Sequence, residues 1–343
     1  MNDNPSKQRT VGDPFQLERT EAARLPPWRR VAPWISGLLT LAAVVLVAVH
    51  LGTLEQFTRL ALAIRPGWLA LALVAQAATY VSASLAWRQT LRRAGYPRPL
   101  RMLVPLGVAK LFTDQVVPSG GVSGAILVTR ALMRRGVPVD AAMAVLLVGL
   151  VSYFAAYLAA GVGSLALLWF YHRVNPAIVA GVALFVVIVV AIPWGVLWMK
   201  ERRPRLPERW IRRLPGATHL LRAISDAPTG LLRDPLLLVQ TVALEFAIFA
   251  LDALTLWLVL RGLGQDPTVW IAFASFMMAS IAGTLGPIPL GLGTFEAACV
   301  SMLSLLGVSI EAALAATLLL RGLTFWLPML PGLWLARREI AAP

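Results

Sequence analysis

The chain has 343 residues, 58% of them hydrophobic and only 14% charged, and its mean hydropathy is +0.72. Apolar runs of about 20 residues without period-two alternation mark a multi-pass α-helical membrane protein, exclude a β-barrel, and leave no room for a soluble catalytic domain of ordinary size. The net charge of +14 lies between the apolar runs, so it reads as a topology signal and no nucleic-acid partner is expected. The lone Cys299 excludes an intrachain disulfide, and His50, His172 and His219 stand too far apart for a metal site; neither metal nor cofactor is expected.

Residues 1–30 are polar, with prolines and mixed charge, and read as a disordered cytoplasmic tail ahead of a single integral membrane domain over 31–338. The first apolar run begins too late for a standard signal peptide. Uninterrupted spans are predicted at 31–53, 67–87, 139–170, 175–198, 235–260 and 310–335. Two further apolar stretches are interrupted: 102–135 at Pro118-Ser119-Gly120-Gly121, and 267–306 at "GPIPLGLG" (286–293). Proline removes a helical hydrogen bond and glycine stiffness, and several of the half-stretches are short for a bilayer. A re-entrant hairpin is therefore predicted for each. The expected fold is an all-α polytopic membrane protein with about six full crossings plus two re-entrant broken-helix hairpins.

Of the 31 Lys and Arg, 25 fall in the amino-terminal tail, 88–101, 130–135, the basic loop 200–233 and the carboxyl end. The positive-inside rule makes these segments, and both termini, cytoplasmic. The first hairpin then enters from the cytoplasm and the second from outside. Within the basic loop, "KERRPRLPERWIRRLPGATHLLRAI" (200–224) reads either as a topology anchor or as a segment lying on anionic headgroups.

An internal repeat appears on sliding the chain by 171 positions. Ten identities then fall between Pro118 and Phe154 without a gap, among them Pro118/Pro289, Gly120/Gly291 and Gly136-Val137/Gly307-Val308. With a two-residue slip upstream, Pro66 meets Pro235, Gln76 meets Glu245 and Arg92 meets Arg261. Repeat 1 covers about 66–171 and repeat 2 about 235–335, and an odd number of crossings between them predicts an inverted pair. Inverted repeats with paired broken helices point to a transporter site near the bilayer midplane.

The candidate headgroup path follows the breaks: Pro118, Ser119, Gly120, Gly121 and Ser123 in the first, Pro289, Gly291, Gly293 and Thr294 in the second. A half-helix starting near Val122 would offer unpaired N–H groups to an anion such as a lipid phosphate, with Ser123 and Thr294 as natural caps. The alternative is a pair of capped kinks that pack against each other. Ionisable residues deep in apolar runs add candidates. Lys110 and Asp114, one turn apart, read either as an intrahelical pair or as headgroup ligands. Glu296 sits in the first turn of the second half-helix, where the dipole favours a carboxylate. Arg321 lies too deep in its span to snorkel easily and needs a partner, with Glu296 the first choice. Glu245 and Asp252, seven residues apart on one helix face, form either a proton or cation relay or helix–helix hydrogen bonds.

Three segments carry a family resemblance: "VVPSGGVSGAILVTRALMRRGV" (116–137), "GPIPLGLGTFEAACVSMLSLLGV" (286–308) and "LLLRGLTFWLPMLPG" (318–332). Across about 35–338 the chain resembles the transmembrane region of lysylphosphatidylglycerol synthases, a flippase-like integral membrane family. The family's Pro-Gly-Gly-Leu-Gly-x-x-Glu pattern meets Pro289 to Glu296, with Leu290 in place of one glycine. Its Arg followed by aromatic-Pro meets Arg321 and Pro328. Many members carry an acidic residue shortly after the first break, where this chain has Gly124 and Ala125. The resemblance implies translocation or handling of anionic, aminoacylated or other phospholipids in a bacterial plasma membrane. With no counterpart of the soluble aminoacyl-transferring domain, the chain is not expected to be an enzyme. The rival expectation is a non-transporting membrane subunit that binds a separate lipid-modifying or glycosyl-transferring enzyme.

Overall fold

A computed structural model describes residues 64–116, 122–173, 176–202, 230–286 and 291–341. The described residues form helices and short turns with no strand. The predicted span 31–53, the tail and most of the basic loop lie outside them.

Helix α1 (Pro66–Arg93) and helix α6 (Pro235–Gly262) each have 28 residues and each begin on a proline, which costs no helical hydrogen bond at the first position. Asp234 caps α6 by accepting from Leu237 N at 3.0 Å. These two helices pack along their whole length. Arg65 N donates to Gly262 O at 3.1 Å, Ser82 Oγ donates to Leu244 O at 2.7 Å, and Arg93 pairs with Asp234. Ascending positions on one meet descending positions on the other, so α1 and α6 are antiparallel.

Each of these helices is followed by two short helices. Helix α2 (Leu100–Val116) packs on α3 (Val122–Arg134), and α7 (Val269–Leu285) packs on α8 (Thr294–Leu305). At a rise of about 1.5 Å per residue, helices of 17 and 13 or 12 residues fall short of a hydrocarbon core of roughly 30 Å. Long helix α4 (Val139–Phe170) follows the first pair, then α5 (Pro176–Arg202). After the second pair comes α9 (Ile310–Arg321), a π-helical segment Gly322–Trp326 and α10 (Leu327–Ala341), which continue one another. Among the described residues, four stretches are long and apolar enough to cross a membrane: Pro66–Arg93, Val139–Phe170, Pro235–Gly262 and Ile310–Glu339.

The second helix of each short pair ends on the same device. Gly136 and Gly307 adopt positive φ of 77° and 96°, which other residues reach only with strain. Val137 N then reaches back to Leu132 O, and Val308 N to Leu303 O. This six-to-one bond satisfies carbonyls that the helix leaves open.

Small residues set the packing that follows. Ala141, Ala142 and Ala144 on α4, and Ala312, Ala313 and Ala315 on α9, are all buried. In lipid, where apolar surface alone gives little drive to associate, such residues let helices approach closely. Large apolar side chains such as Trp169, Phe170, Val187 and Leu330 stay exposed, as expected of a surface bathed in acyl chains. Helix α4 packs on both α3 and α7, while α9 packs on α8 and its continuation α10 packs on α2. Each short-helix pair is thus held by a long helix from the other half of the chain. At the end of α10, Glu339 pairs with Arg134 and Arg135, and tethers α10 to the turn after α3.

Candidate functional site

The break in the first pair of short helices is Pro118, Ser119, Gly120 and Gly121, and these four, with Pro289 in the second, lie outside the described residues. The side chains that flank both breaks are described, and they form two polar clusters with the same chemistry.

In the first cluster Asp114, on the last turn of α2, reaches the start of α3. Its Oδ2 accepts from Lys110 Nζ at 2.7 Å, and its Oδ1 accepts from the Gly124 backbone N–H at 2.8 Å. A side chain at position 124 would collide with that carboxylate, since a Cβ built there falls 2.5 Å from Asp114 Oδ1. Glycine at 124 is therefore the condition for the carboxylate to reach the helix end. Ser123 Oγ donates to Thr113 O at 3.2 Å and to Asp114 Oδ1 at 3.4 Å.

In the second cluster Glu296 bends back over the start of its own helix. Its Oε2 accepts from Gly293 N at 2.6 Å, and its Oε1 accepts from Arg321 Nε at 2.7 Å. The predicted partnership of Glu296 and Arg321 is thus present. The pair is well buried, the side chains being 9% and 15% exposed. Arg321 also lies 4.2 Å from the centre of the Phe295 ring and aims a second N–H at Gly291 O, 3.4 Å away. Thr294 Oγ1 donates to Gly291 O at 3.1 Å.

Of the two predicted hydroxyl caps, Thr294 does not cap its helix. Ser123 and Thr294 direct their hydroxyls backwards as donors, and at both helix ends a carboxylate accepts the free N–H instead. An ionised acceptor makes the stronger hydrogen bond and also gains from the positive end of the helix dipole. The two arrangements are alike in kind: one carboxylate oxygen on a half-helix N-terminus, the other on a cation. They differ in origin. Asp114 comes from the helix before the break and Glu296 from the helix after it.

A third polar group lies in the seam between α1 and α6. Glu245 is buried, 8% exposed. Asp252 shares a hydrogen bond with Gln76, while its Oδ1 is shut off from solvent and has no partner. Gln76 also meets Thr79 at 3.4 Å and Thr255 at 3.5 Å. Tyr80 of α1 lies near Asp252 and Gln76, and Tyr153 of α4 lies near both carboxylates. Sequence reasoning found Glu245 and Asp252 and aligned Gln76 with Glu245, but missed the tyrosines and Thr255. Nothing in their spacing separates a seam-facing tyrosine from a lipid-facing one. Among the described residues no three His, Cys, Asp or Glu side chains gather as metal ligands.

The family described as "Lysylphosphatidylglycerol synthase TM region" matches residues 34–332. A stretch of 120 residues is 27% identical to a UPF0104 membrane protein of Methanothermobacter thermautotrophicus. That stretch is 35% of this chain and 35% of the relative's length, so the match spans about a third of that curated protein. The broken apolar stretches, the Glu296–Arg321 pair and the extent of the match agree: this chain is a multi-pass membrane protein that belongs to the lysylphosphatidylglycerol synthase transmembrane-region family.

Proposed function

We propose that the chain moves an anionic phospholipid across the plasma membrane of a bacterium, with the headgroup passing between the two clusters at the helix breaks. The observation that carries this reading is the doubled arrangement: a cation and a half-helix N-terminus converge on Asp114 in one half of the chain and on Glu296 in the other. A carboxylate held this way stands where a phosphate group would bind, because both are anions that accept from backbone N–H groups and a cation. A headgroup phosphate displaces the carboxylate and takes its place on Lys110 or Arg321. Glycine at 124 leaves its backbone N–H open to an anion's approach.

The reading places the two short-helix pairs as re-entrant hairpins of an inverted repeat, one entering from each face, within a domain of about six crossings. Three observations support it. Pro66 and Pro235 open helices of equal length, 169 residues apart, that run antiparallel. Val139 and Ile310 open the long helices that follow, 171 residues apart. The left-handed glycines Gly95 and Gly264, and Gly136 and Gly307, recur at the same two spacings. The positive-inside rule puts the basic segments and both termini in the cytoplasm, so Lys110 and Asp114 serve the inner leaflet and Glu296 and Arg321 the outer.

Lipids that stay with the purified protein test the site. Native mass spectrometry of the wild type is expected to show retained anionic phospholipid, and Lys110→Gln to lower that retention several-fold in protein that remains monodisperse. Equal retention by both proteins would remove Lys110 from the headgroup path. A stoichiometric enzyme in place of lipid would make the chain a membrane subunit of that enzyme.

A further inference from the structure

In the seam between α1 and α6, oxygens face one another with no proton to share. Gln76 and Thr79 of α1 and Thr255 of α6 are buried, at 7%, 6% and 0% exposed. Thr255 stands one turn beyond Asp252 on the same helix face. A threonine hydroxyl carries a single proton. Thr255 Oγ1 gives its proton to Leu251 O at 2.8 Å, and Thr79 Oγ1 gives its own to Gln76 O at 2.6 Å. Gln76 Oε1 then lies 3.5 Å from a Thr255 oxygen that has nothing left to donate. The Gln76 amide nitrogen meets Thr79 Oγ1 at 3.4 Å, and the Gln76 side chain also hydrogen-bonds Asp252. Asp252 Oδ1 is closed to solvent and unpartnered. Among the described residues no lysine or arginine pairs with it: Lys110 is held by Asp114, Arg261 by Asp266 and Arg321 by Glu296. Three acceptor oxygens, one negative charge and no donor are a ligand set that a bare cation completes.

We propose that Asp252, Gln76 and Thr255 bind a monovalent cation of sodium's size between α1 and α6, with Asp252 as its counter-ion. The size follows from the spacing. Hard cations of this radius bind oxygen at about 2.4 Å, and two such ligands at a right angle stand about 3.4 Å apart. The 3.5 Å between Gln76 Oε1 and Thr255 Oγ1 matches that separation. The charge follows from the single carboxylate: one positive charge neutralises it, whereas a divalent ion leaves an excess charge away from water. Carboxylate, amide and hydroxyl oxygens suit a hard ion, and the seam offers none of the thiolate or imidazole ligands that select transition metals. Helices α1 and α6 each lead one pair of short helices, so an ion held by both ties the two halves of the chain together. Without it Asp252 is an unpaired charge inside the bundle, which weakens the seam. The site stands apart from the headgroup path and does not depend on it.

Thermal unfolding in detergent tests the site. At constant ionic strength, replacing N-methylglucamine chloride by sodium chloride is expected to raise the wild-type unfolding temperature by roughly 5 °C and to saturate. Radioactive sodium is expected to bind the same protein stoichiometrically. Asp252→Asn removes the charge and keeps the shape. It is expected to lose the sodium response and, in sodium-free buffer, to be at least as stable as the wild type. A residue needed only for packing would instead lose stability in both salts. Thr255→Val keeps the carboxylate and deletes one ligand, so it is expected to need roughly tenfold more sodium for the same rise. Identical wild-type unfolding temperatures in the two salts, as a protonated Asp252 would give, would overturn the site. So would an equal rise with potassium, whose radius is too large for the 3.5 Å spacing, or a sodium response unchanged in both variants.

Discussion

Arg321→Ala is expected to lower stability by about 3 kcal/mol and to abolish lipid movement even where the protein still folds. The stability loss follows from what remains. Glu296 keeps one hydrogen bond, to Gly293 N, but its other oxygen is left charged and enclosed. Breaking a buried pair from one side costs more than the pair contributes, because the stranded charge has no water to return to. The Phe295 ring also loses the guanidinium stacked at 4.2 Å. Glu296→Gln alone is expected to be milder, since an amide oxygen still accepts from Gly293 N or from Arg321. Combining the two substitutions should therefore cost less than their sum, by about 2 kcal/mol. Thermal unfolding of the four proteins in one detergent measures this. Strict additivity would show that the pair is not coupled.

Gly124→Ala should produce an effect whose sign depends on Asp114. In the wild type the new methyl group falls on the Asp114 carboxylate and pushes it off the Gly124 N–H and away from Lys110. A hydrogen bond to a charged acceptor in this setting is worth about 2 kcal/mol. The alanine returns at most about 1 kcal/mol in helix propensity. A net loss of about 1 kcal/mol is expected. In an Asp114→Ala background the collision is gone, only the propensity gain remains, and Gly124→Ala becomes neutral or stabilising. A loss of equal size in both backgrounds would mean that Gly124 is required for some reason other than admitting the carboxylate.

How much of this was legible in the sequence depends on how local the cause is. The helix ends at Val116 and Val122, and at Leu285 and Thr294, follow from proline and glycine, which act within a turn of themselves. Arg321 announced its need for a partner because it sits deep in an apolar span, and Glu296 was the acid placed to serve it. The equal lengths and spacings of α1 and α6, and of α4 and the α9–α10 span, were foreshadowed by the alignment of Pro66 with Pro235 and of Gly136 with Gly307. Asp114 capping α3 across the break was not legible. The spacing to Lys110 suggested an intrahelical pair, and only the fold of the hairpin brings its other oxygen to Gly124. Thr294 is a good cap in isolation, but at its helix end a charged acceptor, Glu296, is supplied by next-turn geometry. The π-helical segment after Arg321 has no counterpart in α4, and its sequence, Gly322 to Trp326, carries no local signal that calls for it.

The seam cluster shows the same division. Glu245 and Asp252 stood out as acids in an apolar helix. That Asp252 keeps an oxygen with no partner, while Gln76 is shared among Thr79, Thr255 and Asp252, depends on the antiparallel register of α1 and α6, which no single helix encodes.

The central claim is that this chain alone moves lipid. Purified protein reconstituted in liposomes with fluorescent phosphatidylglycerol, and the label on the outer leaflet bleached chemically, measures it directly. The account predicts that wild type exposes the inner-leaflet label to bleaching, that Arg321→Gln and Lys110→Gln each slow this by at least about tenfold, a loss of about 1.4 kcal/mol in the barrier, and that phosphatidylcholine moves more slowly. Wild-type liposomes bleaching no faster than protein-free ones, with the protein correctly folded and oriented both ways, would contradict it.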